Sequence, residues 1–169
     1  KMNKMKKSIL YSLTAVFLLL YVQSVYSAIK LPAIVSSNMV LQRNTTVVLW
    51  GWADAGEKIS IKATWLKSVI NLAANKEGSW RIEVKTTNSN APQIIQIKSK
   101  TSDIILKNIL FGEVWLCSGQ SNMTLPLKGN IGQPVFGSNV AIAKSRNPNL
   151  RLFTVDRVGA KNPLNGLKF

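Results

Sequence analysis

A serine stands just past an apolar run, two residues after a glycine, in Gly112-Glu113-Val114-Trp115-Leu116-Cys117-Ser118-Gly119-Gln120-Ser121-Asn122-Met123. A serine on a turn that leaves a buried strand is presented at the carboxyl edge of the sheet, where open α/β folds bind ligands. Backbone N–H groups left free at such a turn can stabilise an oxyanion, and Gly119 lets the chain turn tightly. The chemistry those features suit is acyl transfer. The plain alternative is an ordinary turn, because Gly, Ser and Asn are all common in loops. It is not the Gly-x-Ser-x-Gly elbow, since Met123 occupies the last place. The chain also has no histidine, and serine hydrolases ordinarily take an imidazole as base. Cys117 is the single cysteine, so it forms no internal disulfide. In its apolar run it reads as a small buried hydrophobe before a nucleophile. One cysteine, no histidine and seven acids make no metal-ligand cluster, so neither a metal nor another cofactor is expected.

The elements that must position this turn are mostly strands. Thr46 to Trp52 is β-branched and aromatic. Lys58 to Ala63 and Ser79 to Lys85 alternate polar and apolar residues, the second placing Trp80, Ile82 and Val84 on one face. Gln93 to Lys98 and Ile104 to Leu110 complete the set, with turn signals at Asp54-Ala55-Gly56 and Asn75-Lys76-Glu77-Gly78. Short strands at this spacing predict an antiparallel β-sandwich. Trp50, Trp52, Trp65 and Trp80 are expected in its core, although exposed tryptophans would stack on sugars.

Near Gly112 the pattern changes. Val114 to Cys117 reads as a strand buried on both faces. Ser138 is placed as the cap of a short helix, Asn139 to about Ser145, stopped by Asn147-Pro148. Leu150 to Val155 reads as another strand, giving a βαβ unit. Two strands do not make a covered parallel sheet, so the α/β region is expected to be opened and not finished. Apolar surface around Val114 to Leu116 is then expected to be exposed, with poor solubility.

The first residues have the order of a secretory signal peptide: Lys1, Lys4, Lys6 and Lys7, an apolar run from Ile9 to Val22, then small residues, with cleavage placed after Ser27. A membrane anchor is the alternative, but a span needs about 20 apolar residues and this run is shorter. No cysteine near the cut supports a lipoprotein. Hydrophobic residues at 46% and charged residues at 17% mark a globular chain. Its formal charge is +15, from 22 Lys and Arg against 7 Asp and Glu, and the leader carries four of those lysines. The other basic residues are scattered singly along strand-like segments, without a basic helix or RNA-binding motif, so nucleic acid is not expected as a partner. They read as solvated faces and edge-strand protection.

Glu113 to Met123 resembles the first catalytic block of the sialate O-acetylesterase family, within the SGNH hydrolase superfamily. Asn38-Met39-Val40-Leu41-Gln42-Arg43, then Val48-Leu49-Trp50-Gly51-Trp52-Ala53 and Gly56-Glu57-Lys58-Ile59, are similar to the same family's N-terminal β-domain. The resemblance runs through about Val155. It implies a signal peptide at 1–27, a β-sandwich at 28–107, and at 108–169 the beginning of a three-layer, flavodoxin-like α/β esterase domain. By this resemblance Ser121 is the nucleophile that attacks an acetyl ester, and its own backbone N–H is one oxyanion donor. Water then hydrolyses the acyl-enzyme and acetate leaves. Gly119, Gln120 and Asn122 shape the turn without transferring protons. Gln120 stands where the general SGNH pattern has aspartate, as in the sialate esterase branch.

The resemblance also implies the partner: an acetylated sugar or glycan, met outside the bacterial cell or in the periplasm, with no stable membrane insertion once the leader is cut. The family's later blocks supply a glycine and an asparagine for the oxyanion hole and an Asp-x-x-His pair. None of these is found here, so this chain by itself is expected to be inactive. The contrasting reading is a non-catalytic β-sandwich that binds glycans, or a truncated remnant. A pure adhesion module leaves the Gly119-Gln120-Ser121-Asn122 turn unexplained.

Overall fold

The computed structural model describes residues 28–155, 159, 161 and 162, so the leader read at residues 1–27 lies outside the described residues. The described chain is mainly β, with a curled, half-barrel mixed sheet and little helix. Seven strands come first: β1 (Val40–Gln42), β2 (Thr46–Trp52), β3 (Lys58–Ala63), β4 (Ile70–Ala73), β5 (Ser79–Lys85), β6 (Gln93–Lys98) and β7 (Asp103–Gly112). One sheet has the order β1-β7-β6-β3-β4, and β2 pairs with β5 in a second. All pairings are antiparallel except β1 on β7, where Val40 faces Leu110 and Gln42 faces Gly112.

Alternation decides what each strand buries. Ile59, Ile61 and Ala63 of β3, and Ile95 and Ile97 of β6, point inward while their neighbours face solvent. From the second sheet Leu49, Trp80, Ile82 and Val84 join the same core. Six side chains there are fully buried: Leu49, Ile59, Ile61, Ile95, Ile97 and Ile109. Trp65 bridges the sheets, donating its indole N–H to the Lys85 carbonyl at 2.9 Å and meeting Phe111 edge-on at 5.0 Å. Trp80 is buried, and Trp50 and Trp65 pack partly buried against the core, as expected of them; Trp52 is half-buried. Gly51 is required where it stands. A Cβ there would lie 2.5 Å from the Lys30 carbonyl oxygen and 2.7 Å from the Trp80 ring.

Strand β7 runs unbroken past residue 108, but its register against β6 shifts between Gln93 and Ile95. Asn108 has φ 57° at this irregularity, the left-handed region that asparagine tolerates best among non-glycine residues.

Beyond Gly112 the structure departs from the sequence expectation. Val114 to Cys117 is not a strand, and Val114, Trp115 and Leu116 are 56%, 84% and 94% exposed. Cys117 is exposed too, not buried. Leu150 to Val155 forms no strand either. The physical reason is common to both: a strand buried on both faces needs neighbours on each edge, and among the described residues no strand pairs with either segment. What forms instead is local: a 3-10 turn at Ser121–Thr124, a two-residue hairpin of β8 (Gly129–Asn130) and β9 (Gln133–Pro134), and helix α1 (Ser138–Ala143). Ser138 is the first helical residue and not the cap. Gly137 takes that place with φ 73° and no side-chain bond. No helix of the described residues is long and apolar enough to cross a membrane.

Candidate functional site

The segment that carries Ser121 leaves the end of β7 under restraint. Gln42 of β1 donates its amide N–H to Glu113 Oε2 at 2.8 Å, and its amide oxygen accepts from the Val114 N–H at 2.8 Å. Arg43 Nε lies 3.3 Å from Glu113 Oε1 as an ion pair without hydrogen-bond alignment, while its backbone N–H reaches the Gly112 carbonyl at 3.0 Å. Two stretches that are 70 residues apart in sequence, Asn38 to Arg43 and Glu113 onward, are therefore joined at one sheet edge. None of these anchors announces itself locally; only the pairing of β1 with β7 makes Gln42 and Glu113 neighbours.

Past the anchor, Gly119 has φ 158°, and a Cβ on it would come 3.1 Å from Met123 Cγ. Gln120 is extended and precedes the 3-10 turn, whose first residue is Ser121. The turn is closed by Met123 N–H to the Gln120 carbonyl at 3.0 Å, and the Thr124 hydroxyl donates to the Ser121 carbonyl at 2.8 Å. Leu125 N–H follows on the Asn122 carbonyl at 3.3 Å. Ser121 and Asn122 are exposed, and among the described residues neither the Ser121 hydroxyl nor its backbone N–H has a partner. Ser121, Gly119, Gln120 and Asn122 thus share one turn. A free hydroxyl beside a free N–H is the elementary pairing for attack on a carbonyl and stabilisation of its oxygen. No acid or base is hydrogen-bonded to the serine among the described residues, and no group of three or more His, Cys, Asp and Glu stands there to hold a metal.

A second tether closes the far end of the segment. The Arg151 guanidinium donates to the Asn108 carbonyl at 2.6 Å, to Asn108 Oδ1 at 3.2 Å and to the Met39 carbonyl at 3.2 Å. Asn108 in turn donates its side-chain amide to Asn38 Oδ1 at 2.7 Å. Both ends of the serine-bearing stretch are thereby fixed to β1 and β7. Sequence reasoning missed Arg151, because an arginine in a strand-like run carries no sign of a partner 43 residues away.

No protein-family model matches the chain. Among curated proteins it is similar to the sialate O-acetylesterases of Homo sapiens and Rattus norvegicus. Each is 26% identical, over 143 and 140 residues, covering 79% and 77% of this chain and 26% and 25% of the relative. The chain thus spans about a quarter of the length of the curated relatives it matches. Among solved structures, a carbohydrate acetylesterase from Xanthomonas citri superposes with a TM-score of 0.54 at 25% identity, covering 59% of this chain and 22% of that one. Motif, relatives and fold thus agree in one likeness: the chain is similar to the sialate O-acetylesterases over most of its described length.

Proposed function

We propose that this chain carries the nucleophile of a serine carboxylesterase that removes O-acetyl groups from sialic acid or related acetylated sugars. One observation carries the reading: Ser121 stands exposed on a turn with its hydroxyl and N–H both uncommitted. The relatives are sialate O-acetylesterases, which points to the ester, and the structural neighbour is a carbohydrate acetylesterase, which points to the sugar. In this reading Ser121 Oγ attacks the acetyl carbonyl carbon and gives its proton to a base. The sugar oxygen then leaves as the hydroxyl, and water splits the acetyl-serine to acetate. Gly119, Gln120 and Asn122 hold the turn. The two sheets act as a β-sandwich platform at 28–107, and residues 108–169 open the SGNH-type α/β domain. Export to the periplasm or beyond follows from the leader read at 1–27.

No histidine is present to accept the proton, so the chain by itself is proposed to be inactive. The test extends the reading frame in the source DNA past the codon for Phe169. If it continues into oxyanion-hole blocks and an Asp-x-x-His pair, the longer protein should release acetate from O-acetylated sialic acid. It should also label at Ser121 with a fluorophosphonate. Ser121→Ala should then lower kcat by roughly 10⁶-fold, as for other serine hydrolases stripped of their nucleophile. Full turnover by the Ser121→Ala protein would refute the assignment. A Ser121-dependent rate in the 169-residue chain would refute its inactivity.

A further inference from the structure

The outward face of the five-stranded sheet carries a cluster of lysines with little acid to balance it. Lys58 and Lys62 lie on β3, Lys98 on β6 and Lys107 on β7, all exposed and all pointing away from the core. These strands lie inside the strand order, whose outermost members are β1 and β4, although β4 pairs β3 only from Lys58 to Ile61 and β1 pairs β7 only from Leu110 to Gly112. The register sets the spacing. Ser60 pairs with Lys98, so Lys98 lies diagonally between Lys58 and Lys62, about 8 Å from each. Asp103 is the one acid among these strands' outward residues, and it is already engaged by Lys98 at 3.6 Å and by Gln96 at 2.7 Å. Lys58, Lys62 and Lys107 have no acidic partner among the described residues. On the other sheet, by contrast, Arg81 of β5 pairs with Glu83 at 3.4 Å.

We propose that this face docks an acidic polysaccharide, one that carries carboxylates along a chain of sugars. Three uncommitted ammonium groups on one face of the sheet supply point charges for carboxylates, and the Gln96 amide oxygen, its N–H held by Asp103, is an acceptor for sugar hydroxyls. Nucleic acid fits less well: the face holds no arginine and no aromatic ring on which bases stack. That the anion is a glycan rests on the acetylated-carbohydrate reading above; the surface itself does not use Ser121.

The full chain is titrated with polygalacturonate at low and at physiological salt, with neutral dextran as control. The variant Lys58→Gln/Lys62→Gln/Lys107→Gln should bind about 10-fold more weakly. A variant with the same charge loss elsewhere, Lys76→Gln/Arg81→Gln/Lys85→Gln, should bind as the parent does, and so should Ser121→Ala. Circular dichroism checks that each variant is folded, and Lys62→Gln alone gives the same test if the triple variant is not. Equal weakening by both triple variants would overturn the site. Tighter retention by phosphatidylserine vesicles or single-stranded DNA than by polygalacturonate would overturn the glycan. Binding is read on the 169-residue chain and turnover on the longer protein, so either proposal can fail without the other.

Discussion

Thr86 lies beneath the anchor of the candidate site, and replacing it with valine tests how that anchor is held. It is 7% exposed, one of two buried polar residues of the core. Its hydroxyl donates to the Gln42 carbonyl at 2.7 Å and accepts from the Thr45 N–H at 3.1 Å. Valine has nearly the same shape and neither bond. The Thr45 N–H and the Gln42 carbonyl are each left short of a partner in a partly buried place, at about 1 kcal/mol apiece, the lower end of the range for orphaned groups. The total is about 2 kcal/mol. With a urea slope of about 2 kcal/mol/M for a chain of this size, the midpoint should fall by about 1 M with the slope unchanged. Thr86→Ser keeps the hydroxyl and loses one methyl, about 0.8 kcal/mol, so its midpoint should fall less than half as far. If valine unfolds at the parent's midpoint while serine does not, the methyl and not the hydroxyl carries the stability. The proposed link from Thr86 through Gln42 to Glu113 then fails.

Hydrogen bonds from Ser99 foremost, then Thr101 and the Asp54 N–H, hold the Glu57 carboxyl below its ordinary value. A depressed folded value contributes stability that is present above the unfolded value and lost as pH falls through the folded one. Glu57→Gln should flatten that acid-side loss in thermal melts taken from pH 6 downward. Arg151→Ala should weaken docking of the tail by roughly 5- to 30-fold. The amide resonances of Leu150 to Val155 would move toward random-coil positions. Arg151→Lys, which keeps the charge without the planar fork, should rescue only part. Trp115, Leu116, Ile131 and Phe136 are 84% to 105% exposed, so the chain should self-associate on sedimentation and bind a hydrophobic dye. Trp115→Gln with Leu116→Gln should reduce both.

The strands at 46–52, 58–63, 79–85 and 93–98 were legible to the residue, because 58–63 and 79–85 alternate polar and apolar residues and 46–52 is β-branched and aromatic, with turn formers between them. β1 and β4 were not. β1 is three residues long and exists only because Leu110 to Gly112 lie beside it, 70 residues on. β4 pairs on one side only, with β3. The apolar runs at 114–117 and 150–155 misled for the opposite reason. Their composition suits a strand buried on both faces, but composition does not supply the neighbouring strands. The turn at 119–122 was visible from residue types. The groups that tether the segment carrying it were not, since Gln42 reaches Glu113 and Arg151 reaches Asn108 only through tertiary pairing.

The β1–β7 edge fixes the serine-bearing segment at both ends and nowhere between. From 113 to 155 only Gly129 is buried, so no packed side chains set the angle of the Ser121 hydroxyl. Acyl transfer is sensitive on this scale: a displacement of about 1 Å at the reacting atoms costs roughly 10²-fold in rate. An oxyanion donor acts only if its direction is fixed before the charge develops. Two tethers at a sheet edge limit how far the turn can travel, but they do not orient it. Orientation requires partners on the apolar residues at 114–116, which are exposed here. Reactivity at Ser121 should therefore rise with the burial of those residues. Substitutions at Gly119, Gln120 or Asn122 alone should change it little until that surface is covered.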